Sequence, residues 1–454
     1  MRTVGKQLHF PALGIGRGNS FHDQSRPDQK REYSTPYAVN VRGACTFGDR
    51  RRGGSRPGLK RLSGVSSAST GVWRWPGGGE LRWPDGSAVL YDIPSTSYAG
   101  PDGAPFVDPH RTYTPVATKG TAPSGVQAMA LYRYRLFVAK GSQWYASRSC
   151  ETTDWDYGGD MEDVARAATG NVALAGVAGE RITAMMPVSD RHLYVATERS
   201  LWCLTGEPTN GSFSRVLDGA GCVGPNAWCF DGARVWFLSN CGVFAVVPGE
   251  APALFSDEVP KLKGTDANAL MVADHDGSGI HVFSSVDGDW FLDSEAKAVW
   301  PVSIPVTMRP TAAAHVMVSH ANVTALLGTD GKWRYFADDQ ATDDGTAISS
   351  AVAIGPFRCG ENDATDGMLD ELDVTTGEGS SVVTARVYVS HSAEGAEKAR
   401  ANGHEFCSFD FSGGWNRVVR PRARGAWAMV VFSSSGRWAF EGAFARMKAL
   451  GRLR

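Results

Sequence analysis

Hydrophobic and polar residues alternate along most of this chain, and between residues 131 and 338 the alternation takes a repeating form. The segments are LYRYRLFVAKGSQWYAS (Leu131–Ser147), RHLYVATERSLWCLTG (Arg191–Gly206), GARVWFLSNCGVFAVVPG (Gly232–Gly249), SGIHVFSSVDGDWFLDS (Ser278–Ser294) and ANVTALLGTDGKWRYFAD (Ala321–Asp338). Each reads as a β-rich strand, a short polar turn holding Gly or Ser, and a second strand with an aromatic residue near its start. Those aromatics are Trp144, Trp202, Phe244, Trp290 and Trp333, spaced 58, 42, 46 and 43 residues apart. A repeat of about 40–50 residues with several short strands predicts propeller blades. One hairpin cannot bury both of its faces, whereas stacked four-stranded blades can, with the aromatics packed between sheets. An irregular β-sandwich is the competing architecture.

The flanks read differently. Residues 1–62 form an arm: FPALGIGRGNSF has too many glycines for an element interior, and GIGRG, with no strand before it or helix after it, is a loop and not a dinucleotide fingerprint. Residues 63–122 are rich in Gly, Pro and Ser, and VWRW and LRWPDGSAVLYDI supply short strands of a first, degenerate blade. The insertion 149–180 carries six acids, Glu151, Asp154, Asp156, Asp160, Glu162 and Asp163, with a short helix expected at MEDVARAA. After Asp338 the period stops. DDQATDDGTAISS reads as a linker, and 346–454 is a second β region with clear alternation in VVTARVYV and WAMVVF. The expected class is therefore all-β: a β-propeller over 63–340 and a β-rich platform domain built from the arm, 1–62, and the C-terminal region, 346–454.

With 454 residues, 53 glycines and 21% charged residues, this is a turn-rich folded chain with room for two or three domains. No apolar run reaches the ~18–20 residues that span a bilayer, and the first residues lack the apolar core of a secretory signal. The eight cysteines are scattered, with no zinc-site spacing, and are expected as buried free thiols. Net charge is −2, but it is unevenly spread. Residues 1–61 hold 13 Lys+Arg and 4 Asp+Glu, and 417–454 hold 9 and 1, so the ends carry +17 and the middle −19. Such asymmetry speaks about partners. Its densest part is the loop GDRRRGGSRPGLKR, with Arg50, Arg51, Arg52, Arg56, Lys60 and Arg61.

Candidate chemistry is sparse. The chain has no GxSxG, HExxH, Walker A or HxE…CxxC pattern. His192 and His281 fall in predicted strands, where a core or surface role is the ordinary one. The acids of 149–163 could do acid–base work, though an exposed acidic loop explains them equally. DATDGMLDELD, 363–373, has some look of a calcium loop but lacks the glycine and glutamate spacing of an EF-hand. No catalytic residue, cofactor or metal is expected.

Three segments carry a family resemblance. STPYAVNVRGACTFGDRRRGGSRPGLKRL resembles the opening of tail proteins of short-tailed bacteriophages, where a "P-Y…N…R…RGGSRPGL" pattern follows a short leader. SQWYASRSCETTDWDY, 142–157, resembles their "S-R…dWdY" segment. NRVVRPRARGAWAMVVFSSSGRWAFEGAFARMKALGRLR, 416–454, is similar to their "RARG…G…W-x-x-E…GR-R" ending. The family is the podovirus tail nozzle proteins, including packaged-DNA stabilisation proteins; residues 205–345 resemble it only in architecture.

The resemblance implies a structural virion protein with no catalysis, made in the host cytoplasm and residing in the phage tail. It implies a homo-hexameric ring below the portal and adaptor, fibres or spikes as further partners, and genomic DNA passing through without specific binding. It also implies a propeller with a platform that docks on the adaptor. Arg50, Arg51, Arg52, Arg56 and Lys60 match the family's basic loop and Arg420, Arg422 and Arg424 its basic ending, all candidates for the interface with the adaptor or a neighbouring subunit. Two other classes compete: a carbohydrate-active or hydrolytic propeller enzyme using the acidic insertion, and a nucleic-acid binder using the arginine loop beside Trp73 and Trp75.

Overall fold

The structure, a computed structural model, describes residues 3–16, 34–45, 52–62, 81–82, 114–115, 117–174, 178–256, 262–274, 279–318, 321–360, 365–414 and 417–452. Its regular structure is nearly all β; among the described residues the α-helix is Ala393–Ala401. The chain divides into two compact units: Met1–Lys60, Trp290–Ile304 and Phe336–Arg454 form one, and Arg61–Asp289 with Pro305–Tyr335 the other. Residues 63–80, 83–113 and 116, with Trp73 and Trp75 and most of the expected degenerate blade, lie outside the described residues.

The unit of Arg61–Asp289 and Pro305–Tyr335 is built of antiparallel meanders, because alternating segments joined by two-residue turns pair with their nearest neighbours. The first meander is Ala128–Tyr132, Arg135–Lys140, Gln143–Ala146 and Ala168–Asn171. The second is Ile182–Ser189, His192–Thr197, Ser200–Thr205 and Ser212–Asp218; the third is Trp228–Phe230, Val235–Ser239, Gly242–Val246 and Ala253–Leu254. Leu270–Ala273 pairs with Gly279–Phe283, and Pro310–Val318 with Ala321–Gly328. The leading strands of these five sheets are neighbours in chain order.

Trp144, Trp202 and Phe244 occupy the third strand of their meanders, opposite Ala139, Val195 and Phe237, and Trp333 has the same place opposite Leu327. Trp290 lies in Asp289–Asp293, which follows Leu270–Ala273 and Gly279–Phe283 in the chain. Between the first two sheets Trp202 stacks on Phe213 at 5.3 Å and Trp144 meets the same ring at 6.0 Å, in a core with Phe137, Ile182, Met185 and Leu193. Trp144 and Trp202 therefore pack between sheets, where their large area contributes most.

The two five-stranded sheets lie in the other unit. Thr3–Leu8, Phe440–Arg452, Thr365–Thr376 and Arg417–Val419 form one in that order, with Ala423–Arg424 also paired to Thr365–Thr376. Cys407–Phe411, Val383–Ser390, Trp427–Ser434, Ser350–Arg358 and Ala38–Val39 form the second. Trp427–Ser434 is apolar on both faces: Trp427, Met429 and Val431 pack under Ala393 and Ala396 of the helix, and Phe432 on the opposite face meets Phe440 of the first sheet at 5.6 Å.

Two readings from sequence are corrected here. The glycine-rich stretch read as a loop opens with a strand, Gly14–Ile15, which pairs beside Val299 and Ser34–Thr35. Gly14, at φ +71°, is pressed so closely on Val299 that a Cβ would lie 2.4 Å from its carbonyl oxygen, which is why a glycine-rich segment serves as a strand there. The supposed linker also contains a hairpin, Thr342–Asp343 with Thr346–Ala347, turned by Asp344 and Gly345 at φ +44° and +91°.

That hairpin delivers Asp343 to Arg56. Both side chains are buried, and the guanidinium meets the carboxylate at 2.8 and 2.5 Å. Arg56 also donates through Nε to Asn40 Oδ1 at 2.9 Å, and to the Pro57 and Ser303 carbonyls at 2.9 and 3.0 Å. Removing one partner of a buried pair leaves an uncompensated charge, so Arg56→Met and Asp343→Ala should each lose about 3–5 kcal/mol in urea unfolding. Losses below about 1 kcal/mol in both would show that the pair does not hold the unit together.

In the other unit Asp330 accepts from buried Arg334 at 2.8 and 2.6 Å. The Arg334 guanidinium outweighs desolvation and holds the Asp330 carboxyl down at about 2. A depressed carboxyl stabilises the fold above the unfolded value near 4 and loses that contribution as pH falls through the folded value. Asp330→Asn should therefore cost about 2 kcal/mol at pH 7 and about half as much at pH 3. Urea titrations at the two pH values read this directly, and an equal cost at both would exclude it.

Candidate interaction surface

The basic residues picked out by sequence have different fates. Arg50 and Arg51 lie outside the described residues. Arg52 pairs with Glu441. Arg56 is buried and saturated, so its place is inside the unit and not on an interface. Lys60 makes an exposed pair with Asp339 at 2.9 Å. Arg420, Arg422 and Arg424 come together at the margin of the sheet that carries both chain ends.

Strand pairing explains how that margin becomes charged. Thr365–Thr376 turns Leu369, Leu372 and Val374 inward, and a register shift between Leu369 and Glu371 marks a bulge at Asp370. On the neighbouring strand Ala445 and Met447 are buried, which leaves Arg446 and Lys448 on the other face by the two-residue period. Glu371 lies directly across from Arg446 and receives it at 2.6 Å, and Arg420 at 3.2 Å. Asp366 receives Arg424 at 2.8 Å, and Asp370 receives Lys448 at 2.5 Å.

The acids of these pairs are covered and the bases are not. Glu371 and Asp366 side chains are 15% and 8% exposed, whereas Arg420 and Arg424 are 64% and 70% exposed. The face shown to solvent is therefore positive, over a layer of carboxylates. Arg422 stands between the two held arginines, exposed and at φ +48°, flanked by buried Pro421 and Ala423. A bulky residue in the left-handed region is costly, and surrounding structure must hold it there.

Sequence reading missed Glu371, Asp366, Asp370, Arg446 and Lys448. The signal was the i, i+2 spacing of Arg446 and Lys448 in a strand pattern. The stretch compared with a calcium loop is largely the strand Thr365–Thr376, whose acids hold arginine and lysine. Among the described residues no group of three His, Cys, Asp or Glu side chains is placed to hold a metal ion.

The acidic insertion is also accounted for. Asp154 Oδ1 accepts from the Asp156 amide, Asp156 from Gly158, Asp160 from Glu162 and Asp163 from Ala165, so the expected helix at 161–168 gives way to turns. Lys119 holds the Asp156 carboxyl below its usual range and Arg148 does the same for Asp163. General acids need the opposite shift. Buried Arg135 fixes the loop by donating to the carbonyls of Ser147, Val164 and Arg166. Seven described cysteines are free; Cys222 and Cys359 are buried and their thiols pushed up to about 12 by desolvation, whereas Cys150 and Cys241 are exposed.

Counted by unit, the charge split is smaller than it is along the chain. The unit holding both ends has 26 basic and 22 acidic residues, or +4, and the other has 20 and 26, or −6. The basic ends share their unit with the acids of 336–416.

No family model matches the chain, and no curated protein does. Among solved structures it is similar to the extracellular domain of a protein from B. thetaiotaomicron described as a one component system, at 13% identity and TM-score 0.36, over 63% of this chain and 35% of that one. Tricorn protease is similar at 9% and 0.20, over 62% and 28%, and a glycoside hydrolase at 7% and 0.23, over 78% and 93%. This chain thus spans about a third of the first of these, and scores this low carry neither fold nor activity across. Among the described residues no helix is long and apolar enough to cross a membrane.

The pairing pattern separates residues that hold the sheet from those that face outward. Glu371→Gln removes the partner of two arginines and should cost about 1 kcal/mol, whereas Arg422→Ala should stay within about 0.5 kcal/mol of the parent. Guanidinium unfolding midpoints compare them; the reverse order would refute the assignment.

Proposed function

We propose that this chain is a structural protein of a short phage tail: the nozzle ring that closes the DNA channel below the portal and adaptor, retaining the genome and then releasing it. The observation that carries the reading is the meeting of two of the motifs that carry the resemblance. RGGSRPGL, from Arg52, and GRWAFEG, from Gly436, are separated by more than 380 residues, yet they lie side by side in one unit. The Ser55 amide donates to the Trp438 carbonyl at 3.0 Å, the Trp438 amide donates to Ser55 Oγ at 3.0 Å, and Arg52 pairs with Glu441. Motifs that resemble one family at both ends of a chain are thus parts of one structural element.

In this reading the meanders are propeller blades and the unit holding both chain ends is the platform. Arg420, Arg422 and Arg424 face the adaptor, six copies form the ring, and fibres or spikes attach around it. Genomic DNA passes without specific binding, no catalysis takes place, and the protein acts in the virion. Docking through exposed charge weakens as salt rises, because screening acts beyond about 8–10 Å.

The test is best made at Arg422. Reversing Arg420 or Arg424 would set a new carboxylate against covered Glu371 or Asp366 and confound docking with folding. Arg422→Glu should leave the unfolding midpoint unchanged, yet give particles that package DNA and then leak it. Full, infectious, nozzle-bearing particles with this change would sink the proposed docking role.

A further inference from the structure

The pairing register sorts the outer face of the sheet that carries both chain ends into three cross-strand rungs. Residues directly opposite one another in neighbouring strands share a face. Met368 stands between Lys448 and Arg424, which makes the first rung. Glu371 stands opposite Arg446 and meets Arg420 from its other flank, the second. Asp373 stands between Phe444 and Val418, the third. Along Phe440–Arg452 the rungs are two residues apart, or about 6.6–6.8 Å in an extended strand. Two rungs therefore end in bases on both sides, and the third ends in apolar groups.

The bases are fixed in direction before anything binds. Arg446 donates to Glu371 Oε2 at 2.6 Å, Lys448 meets Asp370, and Arg424 meets Asp366. Side chains already held in place lose less freedom on binding. The Arg446 guanidinium also lies 5.9 Å from the Phe444 ring, which links the second rung to the third. Val418 is 54% exposed, where the solvent face of an antiparallel sheet is ordinarily polar.

Spacing and order together select the occupant. Duplex DNA carries a charge every ~1.7 Å of its axis, which would crowd phosphates over Glu371, Asp366 and Asp370. The apolar rung offers a phosphate nothing. An extended protein segment turns every second side chain to one side, at the pitch of the rungs. We propose that this face takes an acidic protein segment lying extended along the strands, with alternate side chains carboxylate, carboxylate and apolar. The first carboxylate sits between Lys448 and Arg424, the second between Arg446 and Arg420, and the apolar group between Phe444 and Val418. The chemistry of the segment rests on the rungs; the partner to which it belongs rests on the docking proposed above.

Fluorescence anisotropy of the full chain at low salt tests it with three labelled probes. They are the peptide Ser-Glu-Ser-Glu-Ser-Leu-Ser, its isomer Ser-Glu-Glu-Leu-Ser-Ser-Ser, and oligothymidylate. The alternating peptide should bind about tenfold tighter than its isomer, which can fill only some of the rungs. Arg446→Gln and Lys448→Gln should each weaken it about fivefold, with circular dichroism and melting confirming the fold. Val418→Ser breaks no ion pair and serves if either of those fails to fold. It should weaken the leucine peptide about threefold and leave a peptide with serine in place of leucine unchanged. Equal binding of the two isomers, tighter binding of oligothymidylate, or no binding of the alternating peptide overturns the proposal. The particle test above judges the tail reading through Arg422, so either reading can fail without the other.

Discussion

A full positive charge buried at Arg56 constrains the unit of Met1–Lys60, Trp290–Ile304 and Phe336–Arg454. Taking a guanidinium out of water costs several kcal/mol even after relaxation, so every donor needs an acceptor already in place. Those acceptors come from three stretches that are far apart in the chain: Asn40, the Ser303 carbonyl and Asp343. Asn40 in turn receives the Ser303 amide at 2.7 Å and donates to the Ser349 carbonyl at 2.8 Å. Asp343 also accepts from the Leu59 amide at 3.1 Å. The segments 38–60, 290–304 and 336–349 therefore have to arrive together, and this is why the unit is discontinuous in sequence. Gly58 follows from the same demand: a Cβ there would lie 2.2 Å from the Thr342 carbonyl oxygen, so only glycine lets the hairpin close over the arginine.

The same chemistry near the surface gives a different result. Arg420, Arg424 and Arg446 also find carboxylates, but theirs are one-sided pairs with the acid beneath and the base in solvent. Such pairs are worth little individually. Their effect is to fix the direction in which the positive groups point. A linear tally places these arginines in a strongly basic end and their acids in an acidic middle. Strand pairing brings the two within hydrogen-bonding distance, and most of the apparent asymmetry is spent inside one unit.

What could be read from the sequence follows from how local each signal is. The hairpins were legible because alternation and turn residues act over a few positions, and Trp144, Trp202, Phe244 and Trp333 share one strand position as their spacing suggested. The helix Ala393–Ala401 was missed although its signals were present: Ser392 caps the Gly395 amide at 3.0 Å, Glu394 sits in the first turn, and Lys398 and Arg400 in the last. Arg56 was read as surface because it stands in a run of arginines, and only contacts hundreds of residues away distinguish it from its neighbours. The charged sheet needed the register of Thr365–Thr376 against Phe440–Arg452, with a bulge in it, which no local pattern encodes.

The acidic insertion shows the same limit from the other side. Six acids in fifteen residues invite a catalytic reading, yet the segment is organised around Trp155, which is fully buried against Val126, Met129, Leu136 and Val138 on the outer face of the first meander. A short parallel ladder, Lys119 with Asp154 and Gly120 with Trp155, sets the indole there, and Tyr157 packs beside it on Tyr145 at 6.0 Å. The carboxylates make the turns on either side, because Asp readily accepts from an amide two residues on. The first meander thus has one face closed by the second meander and the other by its own insertion. Both faces of this sheet thus find apolar partners within residues 117–218.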